Sequence, residues 1–533
     1  MKRLSNKLYI ALVAAAVALQ VGCTKGFEDL NTPKDKASSA STPELFNAII
    51  SSLPQTAGEQ SVINSWIYPI TQQAIVVSGA YPYDNAKNSV WETYYLALGN
   101  YRVLEDRISK DPAKDTYNNV MAMLKTVMAY HTLKTTNYYG NMPYKDAGFA
   151  TLSDATRYKA PYDKQEDIYS AVLNDLKWAV DNLSTNATQV SLGAYETLLK
   201  NDIALWVKFA NSLRLQAAIT VYDKSPAIAG PQITEALGKP LLVEGEDIGL
   251  WPSQIPNLRF EWRQWSFSAN CYLRMGSTMW NLMSANNNTD GSGIFDPRCK
   301  YFFETNVANQ WAAYPQNPTT ATPSEGGAPY NLEKRTAAWS DKGVGNTISN
   351  VNFYFEKDMT SIPELMLTAS QVHLLKAEAY NRGLGVPANA ATAKTEYEAG
   401  IRASVNMWTK VAFTTPDWTV NKPASATASN TEINTLLAAP AVNYSGTPAT
   451  ALDQIYAQYW VSTFRQPWDA WTLLRRTGGK TPMSASNTQY YTTNYSIYNR
   501  FVYPDNEFSY NFDNWKLETG STDLPSKKIW LQP

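Results

Sequence analysis

Tyr117-Asn118-Asn119-Val120-Met121-Ala122-Met123-Leu124-Lys125-Thr126-Val127-Met128-Ala129-Tyr130-His131 is the stretch whose reading decides the fold class. Tyr117, Val120, Met121, Leu124, Val127, Met128 and His131 recur at spacings that put them on one face of a 3.6-residue period, which predicts an amphipathic helix. The pattern runs into Tyr139-Gly140-Asn141-Met142-Pro143, where Gly and Pro supply a stop.

The same design recurs on both sides. A helical stretch is expected from about Trp91 to Ile108, and an apolar run from Leu45 to Leu53 follows Thr42-Pro43-Glu44. Pro161-Tyr162-Asp163 with Glu166 resembles a capping box ahead of the stripe Ile168, Val172, Leu176, Ala179 and Leu183. Lys200 to Tyr222 carries Trp206, Phe209, Ala210, Leu213, Ala217 and Val221 in helical register. Ser361-Ile362-Pro363-Glu364 is expected to open another helix, with Val372, Leu375 and Ala379, closed by Gly383-Leu384-Gly385 and Pro387. Its partner holds Tyr397, Ile401, Val405 and Trp408, and shorter helices are expected at Leu452 to Phe464 and Pro467 to Arg476. Helix pairs punctuated by Gly and Pro resemble tetratricopeptide-like units, each burying its face against its neighbours. The expected class is therefore mainly α: a tetratricopeptide-like helical scaffold with few short strands.

Two stretches break the pattern. Lys239 to Ser361 sets Trp251, Trp262, Trp265, Trp280, Trp311, Tyr314, Tyr330 and Trp339 among Gly, Pro, Asn and Thr, while Thr414 to Thr450 is Ala, Thr, Asn and Pro. Irregular segments of this length in a compact protein are functional surfaces or disordered, and the ring density of the first argues for a surface.

At the N-terminus, Lys2, Arg3 and Lys7 precede an apolar run from Leu8 to Val21 broken only by Gln20, and Gly22 stands before Cys23. This is the layout of a secretory signal peptide, too short for a span of about 20 apolar residues. A cysteine at the cut resembles the lipobox of bacterial lipoproteins, with Gln20 where Leu is usual; an ordinary signal peptide with an incidental cysteine is the alternative. The expected organisation is a lipoprotein signal peptide over 1–22, a lipidated tether over 23–42 and a domain over 43–533, with helical scaffold at about 43–238 and 361–533 and the aromatic loop-rich region at about 239–360.

Composition narrows the function. Removing Lys2, Arg3 and Lys7 from 46 basic residues leaves 43 against 47 acidic ones, so the mature chain carries about −4 and has no basic balance to suit nucleic acid. Beyond Cys23 only Cys271 and Cys299 remain; their pairing in an exported protein is an open alternative, but two cysteines are no disulfide framework. The chain holds 17 Trp and 33 Tyr against 16 Phe, and rings with polar handles gather where a protein grips a ligand.

Several separated motifs, in order, resemble those of SusD/RagB-type outer-membrane lipoproteins, nearer the SusD-like branch. Tyr139-Gly140-Asn141-Met142-Pro143-Tyr144 is similar to the family's Y-G-D-x-P-Y, with Asn141 in place of the acid. Tyr162 to Tyr169 fits the helix that follows, Ala210-Asn211-Ser212-Leu213-Arg214-Leu215 the N-S-L-R-L helix, and Phe295-Asp296-Pro297-Arg298 the D-P-R turn. Leu375-Lys376-Ala377-Glu378-Ala379 fits L-x-A-E-A, and Gln466-Pro467-Trp468-Asp469-Ala470-Trp471 with Arg475-Arg476-Thr477-Gly478 fits Q-P-x-x-A-W and R-R-T-G. Arg500, Tyr503-Pro504, Glu507 and Asn511 complete the set, and the closing Trp pair is reduced to Trp530-Leu531. The resemblance implies a lipid-anchored protein at the outer-membrane surface that lies over a SusC-like TonB-dependent transporter and hands it oligosaccharides, or peptides in the RagB branch. It implies no cofactor beyond the lipid on Cys23. The motif residues Arg214, Arg475, Arg476, Tyr503 and Glu507 are expected to be structural.

A pyranose offers an apolar C–H face and a hydroxyl rim, so ligand sites are sought where rings adjoin Asn, Asp or Arg. Tyr81, Tyr83 and Asn85 form one such cluster, Trp311 and Tyr314 another, and Trp265 and Trp339 rank below them. For each ring taken singly, a place in the core is an equal reading. Enzyme readings lack parts: His131 lies on an apolar helix face, His373 inside another helix, and neither H-E-x-x-H nor G-x-S-x-G appears. Gly478-Gly479-Lys480-Thr481 imitates the end of a P-loop with Leu474 where the first Gly belongs, and Asn286-to-Gly291 imitates a calcium loop with Pro297 where the bidentate acid belongs. A glycosidase, needing only two placed carboxylates, is the rival class, and a surface adhesion protein the third.

Overall fold

The computed structural model describes residues 40–76, 81–152, 158–255, 273–317, 347–352, 354–357, 361–416, 418–485 and 488–533. The chain divides into a unit ending at Leu45 and a second unit, Phe46–Pro533, which carries all that follows.

Successive helices stack side by side: α1 (Lys87–Ser109), α2 (Asn118–Tyr139), α3 (Gln165–Asn182), α4 (Ile203–Val221) and α5 (Pro226–Leu237) each pack on the next. After the loop-rich region come α6 (Ala369–Arg382), α7 (Ala390–Thr414), α8 (Pro448–Ser462) and α9 (Pro467–Arg476); α4 and α6 join the two halves. Among the described residues, two two-stranded antiparallel sheets complete the frame: β1 (Ile75–Val76) with β3 (Leu273–Arg274), and β2 (Ile248–Leu250) with β4 (Glu364–Leu367).

The central helix α2 is buried on nearly every side, not on one face. Its threonines hide this in the sequence. Thr126 Oγ1 donates to Ala122 O at 2.7 Å and Thr135 Oγ1 to His131 O at 2.8 Å, one turn back, while Thr132 meets the Tyr94 hydroxyl at 3.1 Å and Thr136 donates to Gly140 O at 2.6 Å, so their hydroxyls are satisfied inside the core. His131 lies edge-on to Tyr94 at 5.3 Å, and burial pushes its pKa down to about 3, which keeps the ring neutral.

Three expectations are corrected. Asp163 does not cap α3: its Oδ2 accepts from the Tyr144 and Lys145 N–H groups, both at 2.9 Å, and Asn141 Oδ1 takes the Gln165 N–H instead. Glu364 does not open a helix but enters strand β4, because Ile248–Leu250 offers it a partner; α6 starts later, behind a capping box of Thr368 and Gln371. The stretch from Thr414 to Thr450 holds a helix, Asn430–Ala438, with its own capping box of Ser429 and Glu432. The end of α6 is as expected, with Gly383 at φ +72°.

The motif residues hold the stack together. Glu378 on α6 accepts from Arg476 Nη1 and Nη2 at 2.9 and 2.6 Å, from Arg382 Nη1 at 2.8 Å and from the Tyr456 hydroxyl at 3.1 Å. Burial pushes Glu378 up, yet Arg476 and Arg382 outweigh it and hold the carboxyl below its ordinary value. Buried Asp296 and Arg298 pair at 2.7 Å in the D-P-R turn, and Arg298 reaches Gln458 on α8. Arg214 Nη2 pairs with Glu235 at 2.7 Å. Arg475 lies over the Trp471 ring and donates to the Asn137 and Asn499 carbonyls at 2.7 and 2.9 Å, clamping α2 to the C-terminal segment. Tyr503 donates to Asn141 O at 2.7 Å, and Glu507 accepts from the Tyr162 hydroxyl at 2.7 Å and Asn511 at 3.0 Å. Arg214, Arg475, Arg476, Tyr503 and Glu507 thus each tie one part of the scaffold to another.

Candidate functional site

The site begins at an irregularity in the first part of the chain. Ile63–Ile67 forms one turn of π-helix between Ala57–Val62 and Tyr68–Thr71. Such a turn inserts a residue into the helix and is frequent where a side chain must be re-aimed. Within it Trp66 is only partly buried while its neighbours are covered. Its indole N–H donates to Tyr81 O at 2.6 Å, and Ser65 Oγ accepts from the Tyr81 N–H at 3.0 Å. The π-turn thus fixes the loop that carries the first predicted cluster.

In that cluster Tyr81 is partly exposed, Asn85 is exposed and bonded to Ser61 Oγ at 2.6 Å, and Tyr83 is buried. Tyr83 packs between Trp66 (5.8 Å, edge-on), Tyr498 (4.3 Å) and Phe501 (5.7 Å) and donates to Arg500 O. It supports the surface from behind rather than forming it.

The second cluster lies inside. Trp311 and Tyr314 are each 6 % exposed. Trp311 stacks on Trp280 at 6.2 Å, over Gly291 at φ +77°, where a Cβ would fall 2.7 Å from the indole. Tyr314 packs with Ile75 and Ile348, and its backbone pairs with the link between β3 and the helix Ser277–Met283 through Tyr314 N to Met275 O (2.9 Å) and Ser277 N to Tyr314 O (2.8 Å). Trp265 and Trp339 lie outside the described residues, as do Cys23 and Cys271; Cys299 is buried.

What the sequence reading missed is the stretch that joins the two clusters, Tyr490-Tyr491-Thr492-Thr493-Asn494-Tyr495-Ser496-Ile497-Tyr498. Tyr491 is buried and donates to Ile70 O at 2.9 Å, fixing the segment to the π-turn region. Tyr498 leans on Trp66 at 4.8 Å and on Tyr83, while Tyr495 packs against Tyr490 and Tyr491 and stands within electrostatic reach of Tyr314. Tyr490, Tyr495 and Tyr498 are partly exposed, and Thr492, Thr493 and Asn494 between them are exposed. The signal was there: four tyrosines in nine residues beside Asn and Thr, opening in the short helix Thr488–Asn494.

Trp66, Tyr81, Tyr490, Tyr495 and Tyr498 therefore form a rim of partly open rings with amides and hydroxyls among them. Rings offer flat apolar faces; the Asn and Thr side chains add donors and acceptors; the rigid scaffold behind holds both. Among the described residues no group of three or more His, Cys, Asp or Glu side chains is placed to hold a metal, and no helix is long and apolar enough to cross a membrane.

A helical scaffold presenting an aromatic, neutral polar surface defines a ligand-binding protein. Comparison with protein families is more specific: residues 33–504 match the SusD-like model described as starch-binding associating with outer membrane, and the chain belongs to that family. It is accordingly a nutrient-binding protein of the outer membrane and not an enzyme. Solved structures agree on the fold. A chitin-binding protein superposes with a TM-score of 0.70 at 21 % identity, covering 92 % of this chain and 100 % of its own. A SusD homologue from Parabacteroides distasonis gives 0.68 at 20 % identity over 92 % and 98 %, and a chitin-binding SusD homologue from Flavobacterium johnsoniae 0.64 at 18 % over 92 % and 97 %. No curated sequence matches.

Proposed function

We propose that the protein captures oligosaccharides on the rim formed by Trp66, Tyr81, Tyr490, Tyr495 and Tyr498 and delivers them to a SusC-like TonB-dependent transporter, held at the surface by lipid on Cys23. The observation that carries this reading is the set of partly open rings beside Asn85, Thr492, Thr493 and Asn494, the pairing of apolar face and neutral hydrogen-bonding groups that a sugar ring requires. The fold relatives that bind chitin support placing N-acetylglucosamine oligomers first in a ligand panel.

The test is calorimetric titration of Thr24–Pro533 with parallel panels of oligosaccharides and peptides, the ligand recovered and checked for integrity. Intact, saturably bound oligosaccharide is expected. Tyr498→Ala should weaken it about tenfold, the loss of one stacked ring, with the circular dichroism spectrum unchanged. Binding confined to peptides would transfer the delivery role to a peptide cargo, and full affinity in Tyr498→Ala would remove the rim from the site.

A further inference from the structure

A cleft of about 970 Å³ opens between the helix Ser277–Met283 and α8. One wall is a single face of the helix Ser277–Met283, carrying Asn281 and Leu282; the other is a face of α8, carrying Leu452 and Asp453; the loop 480–485 closes the end with Lys480 and Met483. The cleft shares its frame with the rim. The helix Ser277–Met283 is pinned by Ser277 N to Tyr314 O and by Gln316 N to Ser277 Oγ (3.0 Å). Ser484 N meets Gln72 Oε1 at 3.5 Å, two residues from Ile70, whose carbonyl accepts from Tyr491 in the rim segment.

We propose that this cleft is the continuation of the binding rim and takes the extended part of an uncharged oligosaccharide chain. The inference rests on the saccharide reading above and adds that the ligand is long. Three features carry it. The volume is at the upper end for ligand pockets, more than a short saccharide lying on the rim would fill. Both walls are helices, so neither offers a strand edge for an extended peptide to pair with, and recognition along them falls to side-chain chemistry. That chemistry is amide and hydroxyl beside Leu282, Leu452 and Met483, with one acid, Asp453, set against one base, Lys480, which gives a polyanionic chain no net attraction.

The experiment is titration of the full mature chain with two length series, disaccharide to octasaccharide, of N-acetylglucosamine and of glucose oligomers, repeated on Asn281→Trp and Met483→Trp, which add bulk inside the cleft. In the unaltered protein affinity should rise with length and then level off. Either substitution should lower affinity for the longest chain about tenfold, toward that of the short ones, while the short chains bind as before. Length-independent affinity, or long-chain affinity untouched by both substitutions, would overturn the cleft assignment and leave the rim standing. Failure of every saccharide length to bind would overturn both.

Discussion

Asn141 stands where the family motif has an acid, and its surroundings say why. Its Oδ1 accepts the Gln165 N–H at the start of α3 (2.9 Å), and its Nδ2 donates to Glu518 Oε2 (3.0 Å). Only an amide can do both; an aspartate would keep the helix N–H and turn a second carboxylate on Glu518. Two carboxylates at that distance cannot both ionise without cost, so one takes up a proton. Asn141→Asp should therefore destabilise the protein by about 1–2 kcal/mol at pH 7.5, in the range of a lost hydrogen bond to a charged group. At pH 5 the cost should shrink, and Glu518→Gln should relieve it. Urea unfolding at the two pH values measures this, and an equal cost at both would rule out the carboxylate contact. The residue scale was partly legible: the motifs located Arg475, Arg476, Glu378 and Tyr503, while their partners lie far away in the chain and appear only on folding. Trp311 and Tyr314 show the converse. Nothing in the sequence distinguishes a ring facing solvent from one facing the helix Ser277–Met283.

Helix α9 was read with its bounds intact, because Pro467 opens it and Gly478 follows it. What its period could not reveal is how polar its buried face is. Asp469 turns inward, where it accepts from Gln371 Nε2 at 2.9 Å and Gln466 Nε2 at 3.2 Å, with Lys134 and the phenol rings of Tyr130, Tyr138 and Tyr459 around it. Burial pushes its pKa up to about 7, against the Gln371 hydrogen bond and the Lys134 charge. An acid whose pKa is raised on folding binds a proton more tightly in the folded state. It therefore costs nothing below its unfolded pKa, and its penalty grows as the pH rises toward 7 and is complete above it. Asp469→Asn should abolish that slope and gain on the parent protein by a few kcal/mol between pH 4 and pH 8, each pKa unit being worth about 1.4 kcal/mol. Denaturant titrations across that range decide it; parallel stability curves would mean that Asp469 is charged and compensated throughout. Strand β4 and the π-turn escaped the sequence reading for a related reason. Glu364–Leu367 is too short to show a period, and becomes a strand only because β2 lies alongside; a π-turn looks like helix until its hydrogen bonds are seen.

At the scale of the molecule, the proposed rim takes its rings from Trp66, Tyr81 and the segment 490–498, outside the stretch 239–360 where composition suggested a binding surface. The surface can serve transport only if it stays at the membrane, and the proposed means is the acyl group on Cys23. Burial of acyl chain is worth about 0.8 kcal/mol per CH₂, so one chain holds marginally and a second makes attachment effectively permanent. The rim belongs to Phe46–Pro533, and none of its rings comes from the segment around Cys23. Anchoring and binding should thus separate. Cys23→Ala is expected to leave the outer-membrane fraction for the soluble one while its oligosaccharide affinity matches that of the parent protein within error. Fractionation, followed by titration of both proteins with the same ligand, tests the two halves independently. If Cys23→Ala stays in the membrane fraction through a high-salt wash, attachment runs through something other than the lipid. If it is released but has lost affinity, the tether takes part in the binding surface and the division drawn here fails.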